Sequence, residues 1–401
     1  MVGDDRLDRP ERGRRQPLIA ATPIELLDRL IALPTVSRDS NLALIEFVRD
    51  HLARFGVAAR LTFNAERTKA NLFATLGTGV GGIVLSGHTD VVPVAGQAWT
   101  GDPFVMVERD GRFYGRGTAD MKGFIATALA LVPEFLARAQ AEPIHLALSY
   151  DEEVGCLGVH GLLADLAGAA IAPRLAIIGE PTSMQVIDAH KGICSQRTRI
   201  TGVPFHSSQP QRGVNAIAAA ARMVDFLEQE AASAAARARP AGDFEPPYTT
   251  YNVGTISGGS AVNIIAASAE LLWEFRNVPW DDPDMLRARA DRFVADDLRV
   301  RLKAHDPRAD AATEHLVEVP ALVSDPDSPA VRLALRLTGQ NRTGTVAFST
   351  EAGLFQRAGI AAVICGPGSI DDAHRADEFV ARSQLEACAA FLRRVAGGAA
   401  V

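Results

Sequence analysis

Seven acidic and imidazole side chains in this 401-residue chain have the types and spacing that metal-assisted hydrolysis needs: His88, Asp90, Asp120, Glu152, Glu153, Glu180 and His374. All but Asp120 lie just past one of four short apolar runs, which are Ile83–Leu85, Ile144–Tyr150, Leu175–Ile178 and Ala361–Cys365. Near-continuous apolar runs are typical of strands in a sheet that is covered on both faces, and such sheets bind ligands at the carboxyl ends of their strands. Carboxylates and imidazoles at that edge suit a divalent metal ion. The pattern therefore predicts a metal-dependent hydrolase.

Five of these donors match the needs of a pair of metal ions. Two ions roughly 3.5–4 Å apart require one carboxylate that both ions share, together with one histidine and one carboxylate for each ion. The sequence offers a set of that composition: His88, Asp120, Glu153, Glu180 and His374. Three carboxylates against two divalent cations leave a net positive charge, which favours activation of a water molecule. We therefore predict that these five residues are the metal ligands.

The two remaining carboxylates have predicted supporting roles. Asp90 lies two positions after His88, so on an extended backbone both side chains point the same way. That placement suits a carboxylate that fixes the tautomer of the imidazole. Glu152 directly precedes Glu153, and at a junction between strand and loop one of the two can bind metal while the other faces the attacking water. We assign Glu152 as the general base, as a hypothesis.

Five separated segments resemble the dinuclear zinc amidohydrolases, the family of acetylornithine deacetylase and succinyl-diaminopimelate desuccinylase. In chain order they are Ser86–Pro93, Gly115–Gly123, Asp151–Gly155, Gly179–Thr182 and His206–Ser208. The resemblance extends from about Pro23 to Arg393. Within it, Phe348–Ala352 and Gly366–His374 look most like the acetylornithine deacetylase branch. Five motifs in the same order are far more specific than any single one.

The resemblance implies a division of the ligands between two zinc ions per subunit. His88, Asp120 and Glu180 would hold one ion, and Asp120, Glu153 and His374 would hold the other. Glu152 would be the general base and Asp90 the partner of His88, as argued above from the residues themselves. The family often has a cis peptide after the shared aspartate, which here is Asp120–Met121. Cobalt or manganese are alternatives to zinc, because such sites accept ions according to supply.

The resemblance also implies substrate contacts. It nominates His206, which in related enzymes reaches the site of the partner subunit, and it nominates Asn263 and Arg276 for the substrate carboxylate. Arg276 has an alternative role as the ion-pair partner of Glu274. Glu351 either binds a substrate ammonium group, as an ornithine side chain would require, or caps a local helix; both readings stay open.

The order of predicted elements indicates an α/β catalytic domain with a mostly parallel sheet and an inserted α+β, ferredoxin-like module. Strand and helix alternate to about Asp188, and the pattern changes near His190. We predict catalytic-domain segments at 1–189 and 309–401 and a lid and dimerisation domain at 190–308. Within the lid domain, Gly258–Gly259 predicts a hairpin between strands at Tyr251–Ser257 and Val262–Ala269.

Composition excludes several other classes of protein. A net charge of −7 argues against nucleic-acid binding, and no apolar run approaches the roughly 20 residues of a membrane span. The four cysteines are far apart and show no metal or disulfide spacing, so we expect a reducing cytoplasm. Residues 1–16 lack the apolar core of a signal peptide and are predicted to be a loose arm.

These patterns lead to one principal functional hypothesis. We expect a homodimeric two-zinc enzyme that deacetylates N2-acetyl-L-ornithine to L-ornithine and acetate, for arginine biosynthesis. A second hypothesis keeps the mechanism but changes the substrate to acetylcitrulline, succinyl-diaminopimelate or another N-acyl amino acid. An aminopeptidase is a third, which Glu180 disfavours because such relatives commonly place aspartate there. A non-catalytic dimeric binding protein is the fourth, and it would be expected to have lost some of the ligands.

Overall fold

The computed structural model describes residues 21–138, 142–169, 171–239, 244–325 and 327–397. The predicted loose arm at 1–16 lies outside these ranges. The strands are β1 (Ala59–Phe63), β2 (Ala70–Leu76), β3 (Ile83–His88), β4 (Val107–Arg109), β5 (Arg112–Tyr114), β6 (Ile144–Ser149), β7 (Leu175–Pro181), β8 (Ile187–His190), β9 (Ile193–Thr201), β10 (Thr250–Gly258), β11 (Ser268–Arg276), β12 (Asp310–Val319), β13 (Leu322–Val323), β14 (Gly344–Val346), β15 (Ala361–Gly366) and β16 (Phe379–Ala381). The helices are α1 (Pro23–Ile31), α2 (Leu42–Ala53), α3 (Gly123–Ala130), α4 (Val132–Arg138), α5 (Val159–Gly168), α6 (Ala216–Ala236), α7 (Pro283–Arg292), α8 (Arg299–His305), α9 (Pro329–Thr338), α10 (Ala352–Arg357) and α11 (Arg382–Gly397).

A large mixed sheet carries the four apolar runs found in the sequence. Its strands follow the order β1-β2-β6-β3-β7-β15-β8-β13, and β14 also pairs with β8. The four strands at its centre, β6, β3, β7 and β15, are mutually parallel. Their carboxyl ends therefore meet along one edge of the sheet. The predicted α/β class and the parallel centre are confirmed.

Both faces of this sheet are covered, as near-continuous apolar strands require. In β3, Ile83 and Leu85 join a core that includes residues of α1, α2, α3 and α11, whereas Val84 joins a second core with α5 and α10. Side chains alternate between the faces because a strand has a period of two residues. Each large aliphatic side chain buried in this way contributes roughly 1.5–3 kcal/mol to folding.

A second, four-stranded sheet has the antiparallel order β10-β11-β9-β12. Helices α6, α7 and α8 contribute to one core with it, so they cover one of its faces. The last strand of this sheet, β12, pairs with β9 and continues to Val319, beyond the predicted boundary at residue 308. The domain boundaries themselves stay a prediction.

The predicted second strand of the hairpin, Val262–Ala269, is wrong for most of its length, because β11 begins only at Ser268. The preceding residues pair elsewhere. The Ile265 backbone N–H donates to the Phe205 carbonyl at 2.8 Å, and the Ser207 N–H donates to the Asn263 carbonyl at 3.0 Å. Because residues 263–265 pair with 205–207, they do not pair with β10. A long connection therefore joins β10 to β11 in place of the predicted tight turn.

Two further features complete the fold. A small sheet has the order β16-β5-β4, and β16 contacts the segment Thr118–Lys122, which contains Asp120. Among the described residues, no helix has the length and hydropathy that crossing a bilayer would take.

Candidate metal centre

The carboxyl edge of the large sheet brings the predicted ligands together. His88 is the last residue of β3, Glu180 lies at the end of β7, and Glu153 follows β6. His374 follows β15 after a turn, and its backbone has a left-handed φ of 57°. Asp120 comes from an irregular turn, Thr118–Lys122, which precedes α3, and the Asp120–Met121 peptide is cis, as expected.

Asp120 lies between the two imidazoles and presents one carboxylate oxygen to each. Its Oδ1 is 2.9 Å from His88 Nε2, and its Oδ2 is 3.1 Å from His374 Nε2. Glu153 Oε2 is 3.0 Å from the same nitrogen of His374, and Glu180 Oε1 is 3.9 Å from His88 Nε2. The donors therefore form two half-sites that meet at Asp120. This is the arrangement that a carboxylate shared by two cations requires.

The charges of the site fit divalent cations. Glu180 Oε1 is buried and has no hydrogen-bond partner among the described residues, which is costly for a carboxylate oxygen unless a cation neutralises it. Burial raises the pKa of Glu180 well above its ordinary value, and the nearby charge of Asp120 adds to this effect. A cation near Glu180 and His88 would give Glu180 Oε1 a partner and would stabilise the ionised form of this buried carboxylate. The residues present therefore fit a pair of divalent metal ions.

The carboxylates around the two imidazoles favour positive charge at this place. Hydrogen bonds to Asp120 and Glu153 raise the pKa of His374 to about 10. Burial and the charge of Asp120 together raise the pKa of Glu153 to about 7, against the opposing effect of the hydrogen bond to His374. Metal ions would displace the protons that these groups bind, because coordination needs neutral imidazole and ionised carboxylate. The same donors therefore bind either protons or metal.

Glu152 lines the cavity beside the ligands. Burial raises the pKa of its carboxyl group well above the ordinary value, and the neighbouring charges of Glu153 and Asp120 raise it further against the opposing effect of His88. Its Oε1 accepts a hydrogen bond from the Cys156 thiol at 3.4 Å. Glu152 can also approach a cation, because its carboxylate lies close to the His88 imidazole and the Glu180 carboxylate, and the three form one of the groups of potential ligands found among the described residues. A carboxyl group of raised pKa at this place is suited to accept and donate a proton.

Asp90 differs in part from its predicted role. His88 Nδ1 lies 2.9 Å from the backbone carbonyl of Asp90 and 3.6 Å from its carboxylate. The carboxylate instead accepts the backbone N–H groups of Glu152 at 3.1 Å and Glu153 at 3.3 Å, and the Ser37 hydroxyl at 2.7 Å. The reason is that β3 ends at His88, so the extended geometry that aligns residues two apart stops there. Asp90 thus holds the loop that carries both glutamates.

The ligands open into a cavity of about 150 Å³. Its wall combines residues of the four-stranded sheet with residues near the carboxyl edge of the large sheet: Asp120, Glu152, Glu153, Gly155, Cys156, Glu180, Ile193, Arg276, Val319, Phe348, Ser349, Ile370 and His374. Arg276 lines the cavity, and its Nε donates a hydrogen bond to Glu274 Oε1 at 2.9 Å. Arg276 therefore lies at the cavity and is paired with Glu274 at the same time. A larger groove of about 950 Å³ between α1 and α2 lies away from the ligand cluster. The small cavity is therefore the candidate active site.

Three predicted substrate residues lie elsewhere. His206 and Asn263 are exposed, are brought together by the pairing of residues 205–207 with 263–265, and do not line the cavity. Glu351 is almost fully buried, and its Oε2 accepts the Ser86 hydroxyl at 3.2 Å. Burial raises the pKa of Glu351 to about 7. It directly precedes α10 without a side-chain capping bond, so the structure shows neither of its two proposed roles.

Several charged residues around the site were not singled out from the sequence. Glu378 and Arg116 form a buried ion pair behind Asp120, and Lys69 Nζ lies 2.6 Å from Asp151 Oδ1 next to the glutamates. The positions of Arg116 and Glu378 in the sequence could have identified them, because Arg116 lies within Gly115–Gly123 and Glu378 follows His374 closely.

The chain is similar to known proteins over most of its length. Residues 84–397 match the family described as peptidase family M20/M25/M40. The chain is 36% identical over 387 residues to an acetylornithine deacetylase of Pasteurella multocida, which covers 93% of this chain and 97% of the relative. It is 38% identical over 374 residues to an acetylornithine deacetylase of Proteus mirabilis, covering 91% of this chain and 93% of the relative.

Solved structures share the fold at lower identity. A tripeptidase from Staphylococcus aureus has a TM-score of 0.72 at 19% identity, covering 94% of this chain and 97% of that one. A metallo-carboxypeptidase from Sulfolobus solfataricus has a TM-score of 0.72 at 17% identity, covering 94% and 98%. These likenesses concern the fold alone. With the family match and the two relatives, they lead to one conclusion: the chain belongs to peptidase family M20/M25/M40.

Proposed function

We propose that this protein hydrolyses the amide bond of N2-acetyl-L-ornithine and releases L-ornithine and acetate. The observation that carries the proposal is Asp120, whose two carboxylate oxygens face His88 and His374 at 2.9 and 3.1 Å at the floor of a cavity. The substrate is supported by relatives named acetylornithine deacetylase that match over about nine-tenths of the chain. Free ornithine would serve arginine biosynthesis.

We assign the ligands as the sequence predicts. His88, Asp120 and Glu180 would hold one ion, Asp120, Glu153 and His374 the other, and zinc is the ion we propose. When bound, the pair would supply an activated water and polarise the amide carbonyl. Glu152 would accept the proton of that water and deliver it to the leaving nitrogen. Asp90 would keep Glu152 and Glu153 in place through their backbone N–H groups.

Recognition of the amino-acid part of the substrate would use residues of the small module, the four-stranded sheet with helices α6, α7 and α8. Arg276 lines the cavity and would bind the substrate carboxylate. We further propose a homodimer formed through this module, in which exposed His206 and Asn263 of one subunit complete the site of the other. Glu351 lies too deep for direct contact in this conformation, so its proposed bond to a substrate ammonium would require local opening.

Two finer assignments complete the proposal. We place the reaction in the cytoplasm, which is consistent with the four free and buried cysteines Cys156, Cys194, Cys365 and Cys388. Another N-acyl amino acid, such as acetylcitrulline or succinyl-diaminopimelate, is the alternative substrate.

Metal analysis coupled to acetate release tests the proposal. Full-length protein is stripped with a chelator, reloaded with zinc, cobalt or manganese, and assayed on acetylornithine, acetylcitrulline, succinyl-diaminopimelate and a dipeptide. We expect two ions per subunit and the highest kcat/KM on acetylornithine. Preference for acetylcitrulline, succinyl-diaminopimelate or the dipeptide would replace the proposed substrate, whereas failure to bind metal would refute the mechanism.

A further inference from the structure

A buried ionic network lies directly behind the candidate metal centre. The Glu378 carboxylate and the Arg116 guanidinium meet at 2.6 Å, and their side chains are 0% and 1% exposed. A buried ion pair contributes little net stability compared with well-packed apolar side chains, because both charges lose their hydration. Stability alone therefore does not account for this pair. The hydrogen bonds of Glu378 and Arg116 indicate a second role for the pair.

One end of the network fixes the backbone around Asp120. Glu378 Oε1 accepts the backbone N–H groups of Gly117 at 3.0 Å, Ala119 at 2.9 Å and Asp120 at 3.1 Å. Hydrogen bonds to an ionised acceptor are about twice as strong as those between neutral groups. Three of them on a single oxygen hold the irregular turn in one conformation. The direction of the Asp120 carboxylate, between the two imidazoles, follows from that conformation.

The other end of the network reaches His374. Arg116 Nη2 donates to Gln97 Oε1, and Gln97 Nε2 donates to the backbone carbonyl of His374 at 2.9 Å. The Arg116 guanidinium also lies over the Trp99 ring, 5.0 Å from its centroid. Gln97 therefore joins the buried pair to the backbone of His374, which has a left-handed conformation. Asp120 and His374, far apart in sequence, are positioned by one set of side chains.

We propose that Glu378, Arg116 and Gln97 are positioning residues that set the spacing between Asp120 and His374, and with it the affinity for the ion that Asp120, Glu153 and His374 would share. This inference rests on the proposed function, because it assumes the pair of metal ions. None of the three residues contacts the proposed reacting atoms. Partners of metal ligands typically change metal affinity by about 10–100-fold when they are removed.

Gln97 offers the sharpest test, because it is only partly buried and lies in a loop. Gln97→Leu removes three side-chain hydrogen bonds, which join Gln97 to Arg116, Trp99 and His374. Gln97→Glu keeps an acceptor for Arg116 and Trp99 and loses the donor to His374. Gln229→Leu, on the exposed face of α6, is the matched control. Zinc is titrated into the metal-free full-length chain by calorimetry, which resolves the two binding steps, and the thermal midpoint of the metal-free protein is measured in parallel.

We expect Gln97→Leu and Gln97→Glu to weaken one binding step by about 10–100-fold and to leave the other step and the metal-free thermal midpoint unchanged. Saturating zinc should restore most of kcat. Glu378→Gln should weaken the same step. Two unchanged binding steps in Gln97→Leu would overturn the inference, and so would a lower thermal midpoint without separation of the two steps. A wild-type chain that binds no zinc would instead refute the proposed function.

Discussion

Asp120 contacts both imidazoles, one through each oxygen of its carboxylate, and it changes the pKa values of its neighbours. Burial by itself would raise its pKa, but hydrogen bonds from His374 and His88 lower it, so the carboxylate stays ionised. The same charge raises the pKa values of Glu153 and Glu180. These carboxyl groups thus differ in pKa because their burial, their hydrogen bonds to the imidazoles and the charges beside them differ.

Replacing Glu152 with glutamine should abolish most of the turnover and leave the metal content intact. Glutamine has nearly the same shape but cannot accept a proton from water, and loss of a general base typically costs about 10²–10⁴-fold in rate. The measurements are kcat on acetylornithine and metal content by mass spectrometry. Turnover close to that of the wild type would refute the assignment.

Cys156 provides a matched comparison, because its thiol contacts Glu152 at 3.4 Å. Burial raises the pKa of this thiol well above its ordinary value, so it stays protonated and is not a nucleophile. Cys156→Ala should therefore lower kcat by less than about tenfold, since it removes one weak hydrogen bond and no proton acceptor. A loss as large as that of Glu152→Gln would give the thiol a direct part in the reaction.

At the scale of elements, the sequence predicted the strands that carry the ligands better than it predicted the lid. Apolar runs such as Ile83–Leu85 predict buried strands well, because strands covered on both faces have few polar residues. The connection at 259–267 was wrong because its pairing with residues 203–207 is a tertiary contact that no local pattern records. The contacts of Asp90 and Glu378 were missed for the same reason.

Gly179 shows how closely the elements must approach at the site. A Cβ atom at this position would lie 2.1 Å from the Phe124 ring of α3, so alanine would force β7 and α3 apart. Gly179→Ala should destabilise the protein by roughly 1–3 kcal/mol, as overpacking of a core does. It should also weaken zinc binding, because Glu180 is the next residue. Urea unfolding and calorimetry measure the two effects.

Gly168→Ala is the control for this substitution. Gly168 lies in α5, and a Cβ atom there would meet nothing within 4 Å. Alanine should be neutral or stabilising by up to about 1 kcal/mol, because it has the higher helix propensity. Equal destabilisation by the two substitutions would show that the contact with Phe124 is not the cause.

The junction between the two sheets should make folding sensitive to acid. His190 ends β8 and is fully buried, and burial lowers its pKa from 6.5 to about 4. The unfolded chain takes up a proton near pH 6.5, whereas the folded chain does so only near pH 4, so stability is lost as the pH falls through this window. The loss amounts to about 3 kcal/mol. Urea midpoints of the metal-free protein at pH 7 and pH 5 should differ less in His190→Asn than in the wild type; equal differences would contradict the prediction.

At the scale of the whole molecule, the cavity of one chain would hold only part of the proposed substrate site. It gathers the metal ligands, Glu152 and Arg276, but exposed His206 and Asn263 lie together elsewhere on the small module. A second subunit that presents this module would supply them, as in the proposed homodimer. His206→Ala should then lower turnover while sparing the metal content, because no ligand is altered.

Mixing two inactive variants tests whether His206 acts across subunits. His206→Ala and Glu152→Gln chains are unfolded together and refolded, so that random pairing makes half of the dimers mixed. In a mixed dimer, the His206→Ala subunit retains Glu152 and receives an intact His206 from its partner. One of the two sites in each mixed dimer is then active. Because about half of the dimers are mixed, the total activity should recover to about one quarter of that of the wild type. If His206 acts within its own chain, every site lacks one group and activity stays at the level of the separate variants.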